Sequence, residues 1–194
     1  VYLTRNGVWL GWIDLQDEIR PEATTVIAQL LKAGYQPILL SGDRNFKCSQ
    51  IASSLGITEW YGEHTPEQKL ERIEKLNQEA PVAMVGDGIN DAPALAKATL
   101  GISLSDASHI AMQSAQVVLM NHGLKNLPLA LALGKQTYRT IRQNLFWAFA
   151  YNIVAIPIAA IGWLSPGISA LAMGFSDVVL AINSLRLYAK KLVD

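Results

Sequence analysis

Along the first 120 residues, short apolar runs alternate with polar, glycine-bearing loops and with stretches of helical periodicity. Asn6-Gly7 lies between two β-rich runs, Val1 to Thr4 and Val8 to Leu15, and such a pair accepts the positive φ angles of a two-residue hairpin turn. Pro21 pre-sets a helical φ, apolar residues recur at Val26, Ile27, Leu30 and Leu31, and Gly34 supplies a stop, which predicts an amphipathic helix. The run Pro37-Ile38-Leu39-Leu40 then passes through Ser41-Gly42-Asp43 into a helical stretch closed by Gly56. The same order recurs at Val82 to Val85, Gly86-Asp87-Gly88 and a helix from about Asp91, with weaker repeats at Leu100 to Ile102 and Val117 to Met120. Strand, loop and helix in alternation predict an α/β, doubly wound parallel sheet of Rossmann-like type. A polar helix from Thr65 to Gln78 falls between the two loops and carries Lys69 one turn from its start.

After Gly123 the pattern becomes one long helical run, from about Leu127 through Arg139 and Arg142 into Leu145 to Leu164. Its apolar part has roughly the twenty residues that a bilayer demands. Ser165-Pro166-Gly167 interrupts it, and a second apolar run extends from Ile168 to Leu187. The expected organisation is a cytosolic domain over residues 1–125, a connecting helix over 126–144, membrane helices over 145–164 and 168–187, and a tail over 188–194.

Composition sharpens this division. The whole chain is balanced, with 16 Lys+Arg against 16 Asp+Glu and 51% hydrophobic residues, so charge gives no reason to expect a nucleic-acid partner. Between Arg142 and Arg186, however, the one charged side chain is Asp177. Lys135, Arg139 and Arg142 precede the apolar pair and Arg186, Lys190 and Lys191 follow it, while the connection is uncharged; the positive-inside bias puts both ends of an integral membrane protein in the cytosol. The single cysteine, Cys48, excludes an internal disulfide.

Two loops lie just past strand ends, where parallel sheets bind ligands. In Gly86-Asp87-Gly88-Ile89-Asn90-Asp91 two carboxylates stand four residues apart where a strand gives way to a helix, a pairing suited to Mg²⁺ with phosphate oxygens completing its shell. Ser41-Gly42-Asp43 offers a hydroxyl and backbone N–H groups at a helix entrance, and Lys69 offers a mobile cation for the same phosphate.

The string Gly86-Asp87-Gly88-Ile89-Asn90-Asp91-Ala92-Pro93-Ala94-Leu95 resembles the hinge signature of P-type ATPases, members of the haloacid-dehalogenase superfamily. Ser41-Gly42-Asp43 is similar to the family's Thr-Gly-Asp, with Ser41 keeping the hydroxyl, and Pro66 with Lys69 fits its Pro-x-x-Lys. The resemblance implies that Asp87 binds Mg²⁺ with Asp91 in support, that Lys69, Ser41 and Gly42 hold the transferred phosphoryl group, and that Asp43 and Asn90 organise the loops. It further implies ATP as substrate and an aspartyl-phosphate formed on the Asp of Asp-Lys-Thr-Gly-Thr. That motif does not occur in this sequence, so the expectation is that the nucleophile, the nucleotide-binding domain and the actuator domain lie upstream and that the chain alone is inactive.

Two spans after such a domain resemble the heavy-metal subclass. Tyr151-Asn152 matches the Tyr-Asn of its copper branch, and Met173 with Ser176 fits the start of Met-x-x-Ser-Ser, so the resemblance implies a Cu(I) pump. A thioether suits Cu(I), and Tyr151 and Asn152 lend oxygens. Pro157 leaves the carbonyl of Ile153 without its helical donor. Asp177 replaces the second serine, and a carboxylate at membrane depth is a functional residue by default; its harder oxygens keep zinc, cobalt and Cu(II) open. A phosphatase of the same superfamily tethered by the apolar pair, or a non-catalytic scaffold fragment, are the competing readings.

Overall fold

The structure is a computed structural model that describes residues 2–13, 18–121, 123–163 and 165–187. Val1, Leu15, Leu164, Lys190, Lys191 and the tail over 188–194 lie outside the described residues. The chain divides into two compact units, Val1–Lys125 and Asn126–Asp194.

The first unit opens with the antiparallel pair β1 (Tyr2–Arg5) and β2 (Val8–Trp12). Asn6 and Gly7 both take positive φ, at 51° and 78°, the geometry that a tight turn between right-twisted strands requires. Helix α1 spans Ala23–Lys32 and buries Ala23, Val26 and Leu30 on one face. β3 (Ile38–Leu40) pairs in parallel with β4 (Glu59–Tyr61), and between them runs α2 (Asn45–Leu55), ended by Gly56 at φ 70°.

α3 (Pro66–Glu79) begins with a reciprocal cap: the Gln68 N–H donates to Thr65 Oγ1, and the Gln68 side chain accepts from the Thr65 N–H. This satisfies two orphan donors of the first turn. β5 (Ala83–Gly86), β6 (Leu100–Leu104) and β7 (Val117–Leu119) form a parallel sheet in that order, connected by α4 (Ala92–Lys97) and α5 (His109–Ser114). Ile73, Met84, Ala94, Leu95, Ala98 and Ala111 form one cluster of the buried core, and Leu40 packs against it. The C-terminal ends of β3 and β5 therefore share one core. At Gly101 a Cβ would collide with the backbone carbonyl of Leu95; only glycine lets α4 lie this close to β6.

β4 escaped the sequence pattern because its three residues, Glu59-Trp60-Tyr61, are too few and too mixed to show a period of two.

In the second unit, α6 (Leu127–Ala160) has 34 residues, about 51 Å at 1.5 Å per residue. That exceeds a bilayer's hydrocarbon thickness, in keeping with the basic residues of its first half. α7 (Pro166–Leu185) has 20 residues, about 30 Å. The apolar windows of both helices have mean hydropathies of 1.2 and 1.6, and none of either window is buried, unlike the core helix of a soluble domain. The break between them falls earlier than Ser165-Pro166-Gly167. α6 ends at Ala160, Gly162 takes φ 76°, and Ser165 already caps α7, its Oγ accepting from the Ile168 N–H at 3.4 Å. Serine at an N-cap followed by proline in the first turn is a start signal rather than a stop.

α6 and α7 are joined by polar side chains. Asn144 Nδ2 donates to Ser184 Oγ at 3.0 Å, and Asn183 Nδ2 donates to Asn144 Oδ1 at 2.8 Å.

Candidate active site

The loop after β5 is wound around Asp91. At Gly86 a Cβ would come within 2.9 Å of Asp91 Cβ, so glycine lets this side chain fold back over the strand end. Asp91 Oδ2 accepts from the Gly88 N–H at 3.3 Å, and Asp91 Oδ1 accepts from Lys69 Nζ at 2.8 Å. Both side chains of that ion pair are largely shielded, at 13% and 15% exposure. Shielding a polar group from water is costly unless it is paired, and here the two side chains are each other's partner. The cap at Thr65 places Lys69 for this contact by fixing where α3 starts.

Asp87, four residues before Asp91, behaves differently. Its side chain is 56% exposed, with Arg20 Nη2 at 3.5 Å. The same nitrogen donates to Asp106 Oδ2 at 2.9 Å. Asp106 thereby holds the Arg20 guanidinium above its ordinary pKa, chiefly through this hydrogen bond, and Arg20 in return holds the Asp106 carboxyl below its own. The Ser108 N–H donates to the Asp87 carbonyl at 2.9 Å, which ties the loop after β6 to the loop after β5. Asn90 lies exposed on the short turn of 3₁₀ helix, Ile89–Asp91, that leads into α4.

The loop after β3 closes on a different segment. Ser41 Oγ accepts from the Asp43 N–H at 3.1 Å and lies 3.3 Å from Asp43 Oδ2. The Glu63 N–H donates to the Asp43 carbonyl at 2.7 Å and the His64 N–H to the Ser41 carbonyl at 3.1 Å, while Gly42 lies against the His64 carbonyl. Asp43 also has Lys47 Nζ at 3.5 Å. Glu63 takes φ 56° in this clasp and accepts from Asn45 Nδ2 at 2.7 Å. Tyr61, at the end of β4, donates to Glu59 and carries Arg72 over its ring at 3.8 Å; the Glu59 hydrogen bond pushes the Tyr61 hydroxyl above its ordinary pKa.

The sequence-predicted residues thus fall into two clusters. Lys69 and Asp91 meet directly on the loop that carries Asp87, and Ser41, Gly42 and Asp43 form a second group at the end of β3, which pairs with β4 and not with β5. Sequence reasoning did not single out Arg20, Asp106 or Ser108, since an arginine before a helix and an aspartate in a loop carry no signal until the fold joins them.

On α6 and α7 the candidates are spread. Tyr151 and Ser176 are half-buried, whereas Asn152, Met173 and Asp177 are exposed. The Asn152 amide donates to the Ala148 carbonyl of its own helix at 2.8 Å. Met173 and Asp177 lie one turn apart on α7 and share its exposed side.

The donor chemistry of the Asp87 loop fits Mg²⁺. Its side chains are carboxylates, one of them open to solvent, and this ion takes one or two carboxylates and otherwise keeps water or phosphate oxygens.

A parallel sheet with this loop chemistry defines a class. The description haloacid dehalogenase-like hydrolase matches residues 6–99. Over 188 residues the chain is 40% identical to the cation-transporting P-type ATPase B of Mycobacterium bovis, covering 96% of this chain and 25% of that protein. It is 38% identical over 190 residues to copper-exporting P-type ATPase B of Archaeoglobus fulgidus, covering 95% of this chain and 28% of the relative. The crystal structure of a zinc-transporting PIB-type ATPase in its E2.Pi state superimposes with a TM-score of 0.85 at 35% identity, over 96% of this chain and 31% of that one.

The fold is accordingly that of a haloacid dehalogenase-like hydrolase domain, a Rossmann-type parallel sheet with helices, followed by two candidate membrane helices. More particularly, the chain is a homologue of the heavy-metal P-type ATPases and matches the C-terminal region of a PIB-type pump. It spans about a quarter of the length of the curated relatives it matches.

Proposed function

We propose that this chain is the part of an ATP-driven heavy-metal pump that holds Mg²⁺ and the transferred phosphoryl group and supplies the last two membrane helices. The shielded Lys69–Asp91 pair, on the same loop as the solvent-open carboxylate of Asp87, carries this reading. Lys69 places a positive charge where phosphoryl oxygens are drawn, and Asp91 keeps that charge in position. Asp87 is the solvent-open carboxylate that would hold Mg²⁺, with Asp91 in support; the ion supplies charge neutralisation for the phosphate when bound. Ser41 and Gly42 add a hydroxyl and an N–H at the end of β3, and Asp43 and Asn90 shape the two loops. The phosphorylated aspartate is supplied from outside these residues, together with the nucleotide-binding and actuator domains, and the chain by itself is inactive.

The proposed cargo is copper, as Cu(I). Tyr151, Asn152, Met173 and Ser176 supply a thioether and oxygens for it, and relatives carry copper-exporting names. Asp177 adds a hard oxygen donor, which makes zinc, cobalt and Cu(II) the alternatives. In this reading residues 1–125 form the cytosolic domain, 126–144 the connecting helix, and the runs from 145 and 168 the spans. Both chain ends face the cytosol, in accord with the basic residues at the outer ends of α6 and α7.

The test is ATP hydrolysis by the full-length protein containing this chain, measured with each metal in turn. Stimulation by Cu(I) supports the copper assignment, stimulation by zinc or cobalt alone reassigns the cargo, and no stimulation by any metal removes the pump reading.

A further inference from the structure

Arg20 sits between two carboxylates and favours the one outside the proposed Mg²⁺ site. A single nitrogen, Nη2, is 2.9 Å from Asp106 Oδ2 and 3.5 Å from Asp87 Oδ2. The shorter contact is a hydrogen bond of ordinary length, while the longer one is an ion pair without a well-made bond. Both carboxylates are about half exposed, at 56% and 55%, so burial does not decide between them; the held geometry of the backbone does.

That geometry is fixed at each corner. The Arg20 carbonyl accepts the Ala23 N–H at the start of α1. Around Asp106, the Ser105 N–H donates to the Leu119 carbonyl and the Ala107 N–H to the Leu104 carbonyl. Ser108 then caps α5, its Oγ accepting from the Ala111 N–H, and its own N–H holds the Asp87 carbonyl. The loop after β6 therefore restrains Asp87 through the backbone and its arginine neighbour through a side chain.

We propose that Asp106 is a positioning residue that draws Arg20 away from Asp87 and so keeps the Asp87 carboxylate available to a divalent cation. The proposal rests on reading Asp87 as a Mg²⁺ ligand. Without Asp106, the ion pair left to the guanidinium among the described residues is the one with Asp87, and an incoming cation must displace it. With Asp106 in place, the arginine charge is already compensated and Mg²⁺ meets an open oxygen.

The test is equilibrium binding of Mn²⁺, an oxygen-seeking substitute for Mg²⁺, to the purified protein in detergent without nucleotide, followed by the electron paramagnetic resonance of free Mn²⁺. The signal of interest is the binding lost in Asp87→Asn. Asp106→Asn is expected to weaken it by about two- to fivefold, the range an exposed ion pair supports, while Arg20→Gln does not weaken it. The combined variant is expected to bind like Arg20→Gln alone, because the tether has nothing left to hold. Equal weakening by Asp106→Asn in both backgrounds would show a simple charge effect and overturn the proposal, as would no weakening at all. If Asp87→Asn itself loses no Mn²⁺, the underlying site reading fails instead.

Discussion

In the loop after β5, Asp91 accepts from Lys69 at 2.8 Å and from the Gly88 backbone at 3.3 Å. On α6 and α7 the residues of comparable interest, Asn152, Met173 and Asp177, are exposed, and the bonds that do join the helices come from Asn144, Asn183 and Ser184. The difference follows from what each architecture can enclose. Packing α3 beside the turn after β5 brings Lys69 and Asp91, 22 positions apart, together within a single unit. Two helices make one seam, and side chains on their remaining faces need further helices before they can form a site.

The comparison can be broken most severely at Asp177. Asp177→Ala in the full-length protein is expected to abolish metal-stimulated ATP hydrolysis while the protein still inserts into membranes. Retained stimulation would make the exposed carboxylate incidental.

In the sheet unit, Gly101→Ala would drive a Cβ into the Leu95 carbonyl; backbone cannot yield as a side chain can, and the expected loss is about 3 kcal/mol, read from urea unfolding. Lys69→Ala is expected to slow phosphorylation of the full-length protein by about a hundredfold, typical of removing one preorganised charge at a developing anion. Rapid-quench measurement of phosphoenzyme formation checks this, and a loss below about fivefold would leave Lys69 as a structural partner of Asp91 alone.

Between the helices, Asn144→Ala removes the bonds to Ser184 and Asn183 and is expected to weaken their association by about 1 kcal/mol, since such bonds contribute modestly even in lipid. A double-mutant cycle with Asn183→Ala in a detergent unfolding assay measures the coupling.

The smallest effect belongs to the exposed Arg20–Asp106 pair. Asp106 is held below its ordinary pKa by the Arg20 hydrogen bond, so its contribution to stability is present above the unfolded aspartate value of about 3.9 and is lost as pH falls through the lower folded value. The stability difference between the native protein and Asp106→Asn should therefore shrink in strong acid and be constant near neutrality. A difference that grows toward acid would reverse the sign of the interaction.

How much of this was legible in advance differs by element. The hairpin turn at Asn6-Gly7, the helices stopped by Gly34 and Gly56, and the strand-loop-helix order at residues 38–55 and 83–97 all announce themselves, because turn chemistry and hydrophobic period are local properties. The sequence also marked both loops and both long apolar helices. β4 was hidden by its brevity, and the end of α6 was misplaced because Ser165-Pro166 reads equally as an interruption or as the start of a helix.

By itself, then, the sequence marked most of the strands, helices and turns, β4 excepted, and which stretch is apolar enough for lipid. Tertiary structure alone decided that Lys69 pairs with Asp91 across 22 residues, and that Arg20 reaches Asp106 across 86. Local periodicity records which way a side chain leans from its own element. Which partner waits there depends on how distant elements pack, and no window of neighbouring residues contains that information.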